Sequence, residues 1–220
     1  MSAEEEPSDG GRPGQIVLAS SSPRRRELLE LIVDASRIEV VPPPDAREQS
    51  LDHLRSVPEI VQGVCSIASQ KARSVGEILG SRNDVAAIVA ADTTVIVDDR
   101  DQARSLGKPD GSCWRDQVSE WFRRYYSGQT HSVVTGVCVI AAGRQFDFSV
   151  TTAVTMVDDL DRHLEWYLAT EEPLGKAGGY AIQGAGATLV KRVDGSLTNV
   201  VGLPLRELND LFGELGIDVG

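Results

Sequence analysis

The chain of 220 residues is long enough for one well-buried domain with two lobes, and its 41% hydrophobic and 25% charged content are those of an ordinary soluble globule. A formal charge of -11 argues against general nucleic-acid binding, and no apolar run approaches the roughly 20 residues of a membrane span. Cys65, Cys113 and Cys138 are odd in number, far apart and without CxxC or Cys/His spacing, so they read as small buried hydrophobes and not as a disulfide framework or a zinc site.

Residues 1–14, with Glu4, Glu5, Glu6, Pro7, Pro13 and several glycines, read as a disordered acidic tail, and 15–220 as a single domain. A basic-then-apolar signal is lacking, so a cytoplasmic location is expected. Gln15 to Ala19 reads as a short buried strand, and beyond a polar turn Leu28, Leu29, Leu31 and Ile32 recur at helical spacing. Ser22 suits the N-cap and Pro23 the first helical position, where an N–H would be unpaired anyway. Arg24, Arg25 and Arg26 then fill a first turn in which the peptide dipoles favour acidic residues. A polyphosphate across Ser20, Ser22, Arg24 and Arg25 would offset that, because a guanidinium fork grips phosphate oxygens in pairs. A solvated basic turn is the rival reading. The overall negative charge does not decide between them, since exposed charges beyond about 8 Å are screened at physiological salt whereas bidentate bonds act at contact.

Ile38 to Val41 reads as a second strand, stopped by Pro42, Pro43 and Pro44. The loop after it holds Asp45 and Glu48, which by themselves read as solvated carboxylates. From Ile60 to Leu79 the apolar positions trace one helical face, and Lys71 on that helix is by default a surface lysine. Val85 to Val97 is the most apolar run and suggests a central strand buried on both faces. Asp92 interrupts it. A buried carboxylate is costly unless paired, hydrogen-bonded or metal-bound, so Asp92 demands a partner; capping of the next turn is the alternative. Residues 98–101 read as a turn, and Lys108, between Gly107 and Pro109, lacks a P-loop context but can reach a phosphate as a point charge.

Trp114 to Tyr126 reads as an amphipathic helix whose aromatics suit a core or an interface. Val133 to Ile140 and Phe146 to Met156 read as an antiparallel hairpin, followed by a helix around Leu160 to Leu168. The glycines between Gly175 and Gly186 permit close approach of backbone to a ligand, or a bulged sheet crossing. A strand from Thr188 to Val193, a turn, and a helix from Leu205 to Leu215 close the chain.

Taken in order, Leu18-Ala19-Ser20-Ser21-Ser22-Pro23-Arg24-Arg25, Ala91-Asp92-Thr93, Gly107-Lys108-Pro109, Ser127-Gly128-Gln129-Thr130-His131, Lys176-Ala177-Gly178-Gly179-Tyr180-Ala181-Ile182-Gln183-Gly184 and Asn199-Val200-Val201-Gly202-Leu203-Pro204 resemble the Maf family of nucleoside triphosphate pyrophosphatases. The resemblance implies a two-lobed α/β fold around a long twisted mixed sheet, similar to the inosine triphosphatase architecture, with a cleft between the lobes. It implies hydrolysis of a nucleoside triphosphate to monophosphate and pyrophosphate with a divalent metal cation, Mg²⁺ or Mn²⁺. By motif, Asp92 resembles the catalytic or metal-side carboxylate and Glu48, with Asp45 as its rival, the second one. Ser20, Arg24, Arg25, Lys71 and Lys108 resemble the triphosphate cradle.

Arg24, Thr93 and Gln183 match the branch that prefers dTTP and UTP, with modified pyrimidine nucleotides as further candidates; an amide such as Gln183 can both donate to and accept from a uracil-type edge. The segment from Asp98 to Leu106 is longer and more charged than the resemblance leads one to expect. The expected partners are a small nucleoside triphosphate, no nucleic acid and no membrane, and the resemblance allows a homodimer. Two other functions are compatible with the motifs: a nucleotide-binding regulator of cell division or septum formation without turnover, and a phosphohydrolase that releases orthophosphate. A Ser/His/Asp hydrolase is poorly supported, because no GxSxG is present and His131 suits a hydrogen-bonding role.

Overall fold

The computed structural model describes residues 14–44, 50–109 and 111–219. Seven strands form one mixed sheet: Gln15–Leu18 (β1), Ile38–Val40 (β2), Val85–Asp98 (β3), Ala103–Leu106 (β4), Thr130–Ala141 (β5), Arg144–Met156 (β6) and Val190–Asp194 (β7). Their spatial order is β2-β1-β3-β5-β6-β7, with β4 also on β3. β1 runs parallel to β2 and β3, and every other pairing is antiparallel. The helices are Pro23–Leu29 (α1), Val57–Leu79 (α2), Trp114–Trp121 (α3), Asp161–Ala169 (α4), Leu197–Val201 (α5) and Leu205–Glu214 (α6). The expected α/β architecture, a long mixed sheet flanked by helices, is the observed one.

β3 explains where a cleft can form. One edge pairs with β5 along residues 88–96. The other edge is divided: β1 takes residues 85–89 and β4 takes residues 95–98, and residues 90–94 lie between the two partners. Asp92 and Thr93 stand in that interval.

Strand alternation then sorts the side chains. On one face Ala87, Val89 and Ala91 join Val137 and Val139 in a cluster with Leu28, Leu29, Leu208 and Phe212. Further along the same face Val95 and Val97 join Val133, Trp121, Phe122, Tyr126 and Tyr167 in a second cluster. Thr93 and Thr135, paired across the strands, lie between the two. The opposite face is covered by α2, whose Val64, Ile67, Ala68, Ala72 and Val75 spread over both halves of β3 and β5. α2 starts with a capping box in which Ser56 and Glu59 satisfy each other's backbone N–H groups.

Gly136 sets the distance between α2 and the sheet. A Cβ there would lie 2.7 Å from the Cys65 nitrogen and 2.9 Å from the Val64 carbonyl carbon, so only a glycine admits the helix backbone so near β5.

Several elements differ from expectation. Ala103–Leu106, to which the sequence assigned no element, is a strand, since Ala-Arg-Ser-Leu carries no alternation and becomes β4 only through its register on Val95–Asp98. The aromatic helix ends in a π-helical turn, Phe122–Tyr126, and its Trp121, Phe122 and Tyr126 are core. The strand expected from Thr188 begins at Val190 after a 3₁₀ turn, and a short helix not anticipated from the sequence, α5, precedes α6.

Candidate active site

The β1–α1 turn is built by Ser20. Its hydroxyl oxygen accepts the Ser22 backbone N–H at 3.1 Å, and Ser22 takes the N-cap position with extended backbone but without a side-chain cap. The three arginines of α1 separate. Arg26 pairs with Glu30 on the surface at 2.7 Å. Arg24 lines a cleft, where burial pulls its guanidinium below the ordinary range. Arg25 turns inward: its Nε donates to the Gly202 carbonyl at 2.9 Å, one terminal nitrogen to Ser20 Oγ at 3.4 Å and the other to Thr93 Oγ1 at 3.1 Å.

That bond continues across the sheet. Thr135 Oγ1 donates to the Asn199 carbonyl at 3.0 Å, so of the two hydroxyls 2.9 Å apart it is Thr93 that donates and Thr135 that accepts. Asn199, fully buried, donates to the Val133 carbonyl at 3.1 Å and Thr152 Oγ1 at 3.0 Å. The Asn199–Pro204 motif is thereby explained: it fastens α5 to β5 and β6 and presents the Gly202 carbonyl to Arg25. The Thr93 hydroxyl is committed to this chain of bonds.

Asp92 is 6% exposed. It faces the α2 side of the sheet, and the partner its burial demands is Lys71, whose Nζ lies 2.7 Å from Asp92 Oδ1. Lys71 is therefore not the surface lysine of the default reading; its side chain is 13% exposed.

The cleft above the interval in β3 has a volume of about 590 Å³ including its open mouth. Ser22, Arg24, Arg25, Asp92, Thr93, Lys108 and Gln183 line it, so expected residues scattered over 162 positions of sequence meet in one place. Ser20 and Lys71 act on it from behind, through Arg25 and Asp92. Glu48 and Asp45 lie outside the described residues. Among the described residues no cluster of three or more His, Cys, Asp or Glu side chains is gathered for a metal ion.

Sequence reasoning did not single out Lys176, Tyr180 or the apolar floor of Val95, Val133 and Val200. Lys176 and Tyr180 stand in the glycine-rich passage that permits close approach to a ligand and in the family motif from Lys176 to Gly184, which are the two signals that point to them. The Lys176 ammonium is pulled down first by burial and then by the nearby Arg24, with Glu172 opposing. Among the described residues, Arg24, Arg25, Lys108 and Lys176 bring four cations to the cleft and Asp92 is the carboxylate that lines it, in a protein of charge -11. The arrangement suits a polyanion.

Beneath the cleft, His131 Nε2 lies 2.8 Å from the Tyr180 hydroxyl, and burial lowers the imidazole to about 3. His131 is the second residue of β5 and is buried, in keeping with the hydrogen-bonding role expected of it. Unfolding at mild acidity lets it take up a proton that the fold refuses, so its contribution is present above the unfolded value near 6.5 and lost as pH falls towards 3. At pH 5 the loss is about 2 kcal/mol. Denaturant unfolding at pH 7.5 and pH 5 is expected to show this drop in the wild type and a drop smaller by that amount in His131→Gln.

The comparisons agree with the motifs. Residues 15–215 match the sequence profile of a family described as Maf-like protein. The chain is 38% identical over 208 residues to the dTTP/UTP pyrophosphatase of Caldicellulosiruptor bescii, covering 93% of this chain and 96% of that one. It is 41% identical over 198 residues to the dTTP/UTP pyrophosphatase of Nitratidesulfovibrio vulgaris, covering 90% and 86%. A solved HAM1 protein from Coxiella burnetii aligns over 66% of this chain and 74% of its own with a TM-score of 0.41 and 14% identity.

Proposed function

Because the chain belongs to the Maf-like protein family, we propose that it hydrolyses dTTP and UTP to the nucleoside monophosphate and pyrophosphate. The observation that carries the reading is the convergence of Arg24, Lys108, Lys176, Asp92 and Gln183 on the cleft at the divided edge of β3. We take residues 15–220, of which 15–215 match the family, as one catalytic domain.

The reaction breaks the bond between the α-phosphorus and the α–β bridging oxygen, with water supplying the new oxygen on the α-phosphorus and pyrophosphate leaving. Such transfers depend on positioning and on neutralising charge. Arg24, Lys108 and Lys176 surround the triphosphate and take up the negative charge that grows on the leaving pyrophosphate. Arg25, spent on Gly202, Ser20 and Thr93, fixes the turn that carries Arg24. Asp92, paired with Lys71, stands where it can orient or deprotonate the attacking water. Val95, Val133 and Val200 give the base an apolar floor, and Gln183 reads its edge. Thr93 contributes to the base preference through the position it gives Arg25.

A divalent cation such as Mg²⁺ is commonly held by one or two carboxylates together with substrate phosphates, and Asp92 brings one such carboxylate to the cleft. Asp92 would be one ligand and Glu48 or Asp45 the other. When bound, such an ion offsets phosphate charge and lowers the pKa of coordinated water.

Among the described residues no helix is long and apolar enough to cross a membrane. Soluble nucleotides as substrates accord with a cytoplasmic site of action. The test is product analysis with Mg²⁺ across a panel of nucleoside triphosphates. Pyrophosphate from dTTP and UTP ahead of the other bases is the expected result; orthophosphate instead, or tight binding without turnover under Mg²⁺ and Mn²⁺, overturns it.

A further inference from the structure

We propose that Glu172 is the positioning residue of the base-reading turn, holding Gln183 at the cleft and thereby setting base selectivity; this rests on the pyrimidine triphosphate reading above. α4 ends at Ala169, and Glu171, with φ 56, turns the chain back under the loop that carries Gln183. The Glu172 carboxylate then accepts three hydrogen bonds. Oε1 takes the Tyr167 hydroxyl at 2.9 Å and the Gly186 N–H at 2.8 Å, and Oε2 takes the Ala185 N–H at 2.8 Å. The Tyr167 oxygen in turn accepts the Ala181 N–H at 3.2 Å.

Both ends of the segment from Ala181 to Gly186 are thus tied, directly or through Tyr167, to one carboxylate, while Ile182 and Gln183 between them line the cleft. The loop is shaped around that group. A Cβ on Gly184 would lie 1.9 Å from Glu172 Oε2, so glycine is what leaves room for the carboxylate. Charge matters as well as shape: an ionised acceptor strengthens each of these bonds, and an amide would turn an NH₂ towards a donor. Glu172 also acts on Lys176, which lines the phosphate side. One residue outside the cleft therefore links the side that reads the base to the side that holds the phosphates.

The test compares wild type, Glu172→Gln, Glu172→Ala and Gly184→Ala in steady-state pyrophosphate release from UTP, dTTP and CTP, with amide hydrogen exchange over residues 181–187. Glu172→Gln is expected to raise the KM for UTP and dTTP by about tenfold, with a smaller fall in kcat, to lower the preference for UTP over CTP, and to speed exchange in the segment. Gly184→Ala, which displaces the same carboxylate, is expected to move all three in the same direction. Unchanged KM, selectivity and exchange in Glu172→Gln would overturn the proposal. Should the Glu172 variants not fold, Tyr167→Phe removes one of the three bonds and must shift selectivity and exchange the same way. A wild type that shows no base preference would sink the functional reading instead, and exchange in the variants would still decide whether Glu172 holds the turn.

Discussion

Asp92→Asn is expected to cut pyrophosphate release from dTTP by roughly a hundredfold to ten-thousandfold while nucleotide binding stays measurable. The substitution is nearly isosteric. The amide oxygen can still accept from Lys71, so the 2.7 Å contact and the packing around it need not collapse. What disappears is the negative charge, and with it the capacity to take a proton from water or to hold a cation. Removing Lys71 is a different experiment, since it leaves a buried carboxylate without its ammonium and costs stability before it says anything about chemistry. Rates with Mg²⁺ saturating, alongside calorimetric binding of dTTP, check the prediction. Turnover within a few-fold of wild type would remove Asp92 from the chemistry and leave it as the structural partner of Lys71.

Gly136→Val is expected to destabilise the fold by upwards of about 3 kcal/mol and to impair activity together with stability. Gly136 stands opposite Asp92 in the β3–β5 register, on the face that α2 covers. Any side chain there meets helix backbone at Cys65 and Val64, and backbone cannot swing aside as the end of a flexible side chain can. The helix has to move away from the sheet, and Lys71 moves with it. Stability and the Lys71–Asp92 pair are therefore coupled through one missing methyl group. Gly213→Ala is the contrast: the site is helical with open space around it, and the change is expected to leave stability unchanged or raise it by up to about 1 kcal/mol. Chemical denaturation of both variants, with residual activity measured below the transition, separates the two outcomes.

These two residues show what could be read from the sequence and what could not. Asp92 was conspicuous because a carboxylate inside an apolar strand must be compensated, and that logic needs no structure. Its partner was less visible, because Lys71 on an amphipathic helix looks like any solvated lysine until the helix is docked. Gly136 carried no mark, since its meaning lies in a helix far away in sequence. β4 was missed for a similar reason, as its four residues owe their conformation to a neighbour's edge and not to their own pattern. The arginine cluster was legible as an anion site, but the division of labour was not: Arg24 faces the cleft, Arg25 braces the turn, and Arg26 is spent on Glu30. Lys176 and Glu172 sat in view within or beside a glycine-rich passage, where the glycines drew attention to themselves and away from the charged groups they make room for.

β3 and β5 run unbroken beneath both hydrophobic clusters, with the cleft at the waist between them. The two clusters are therefore joined through the same pair of strands. Each cluster uses the same two strands as its floor, so loosening one exposes the other's side chains to water as well. Ligand occupying the waist between the clusters then stabilises the folded state by mass action.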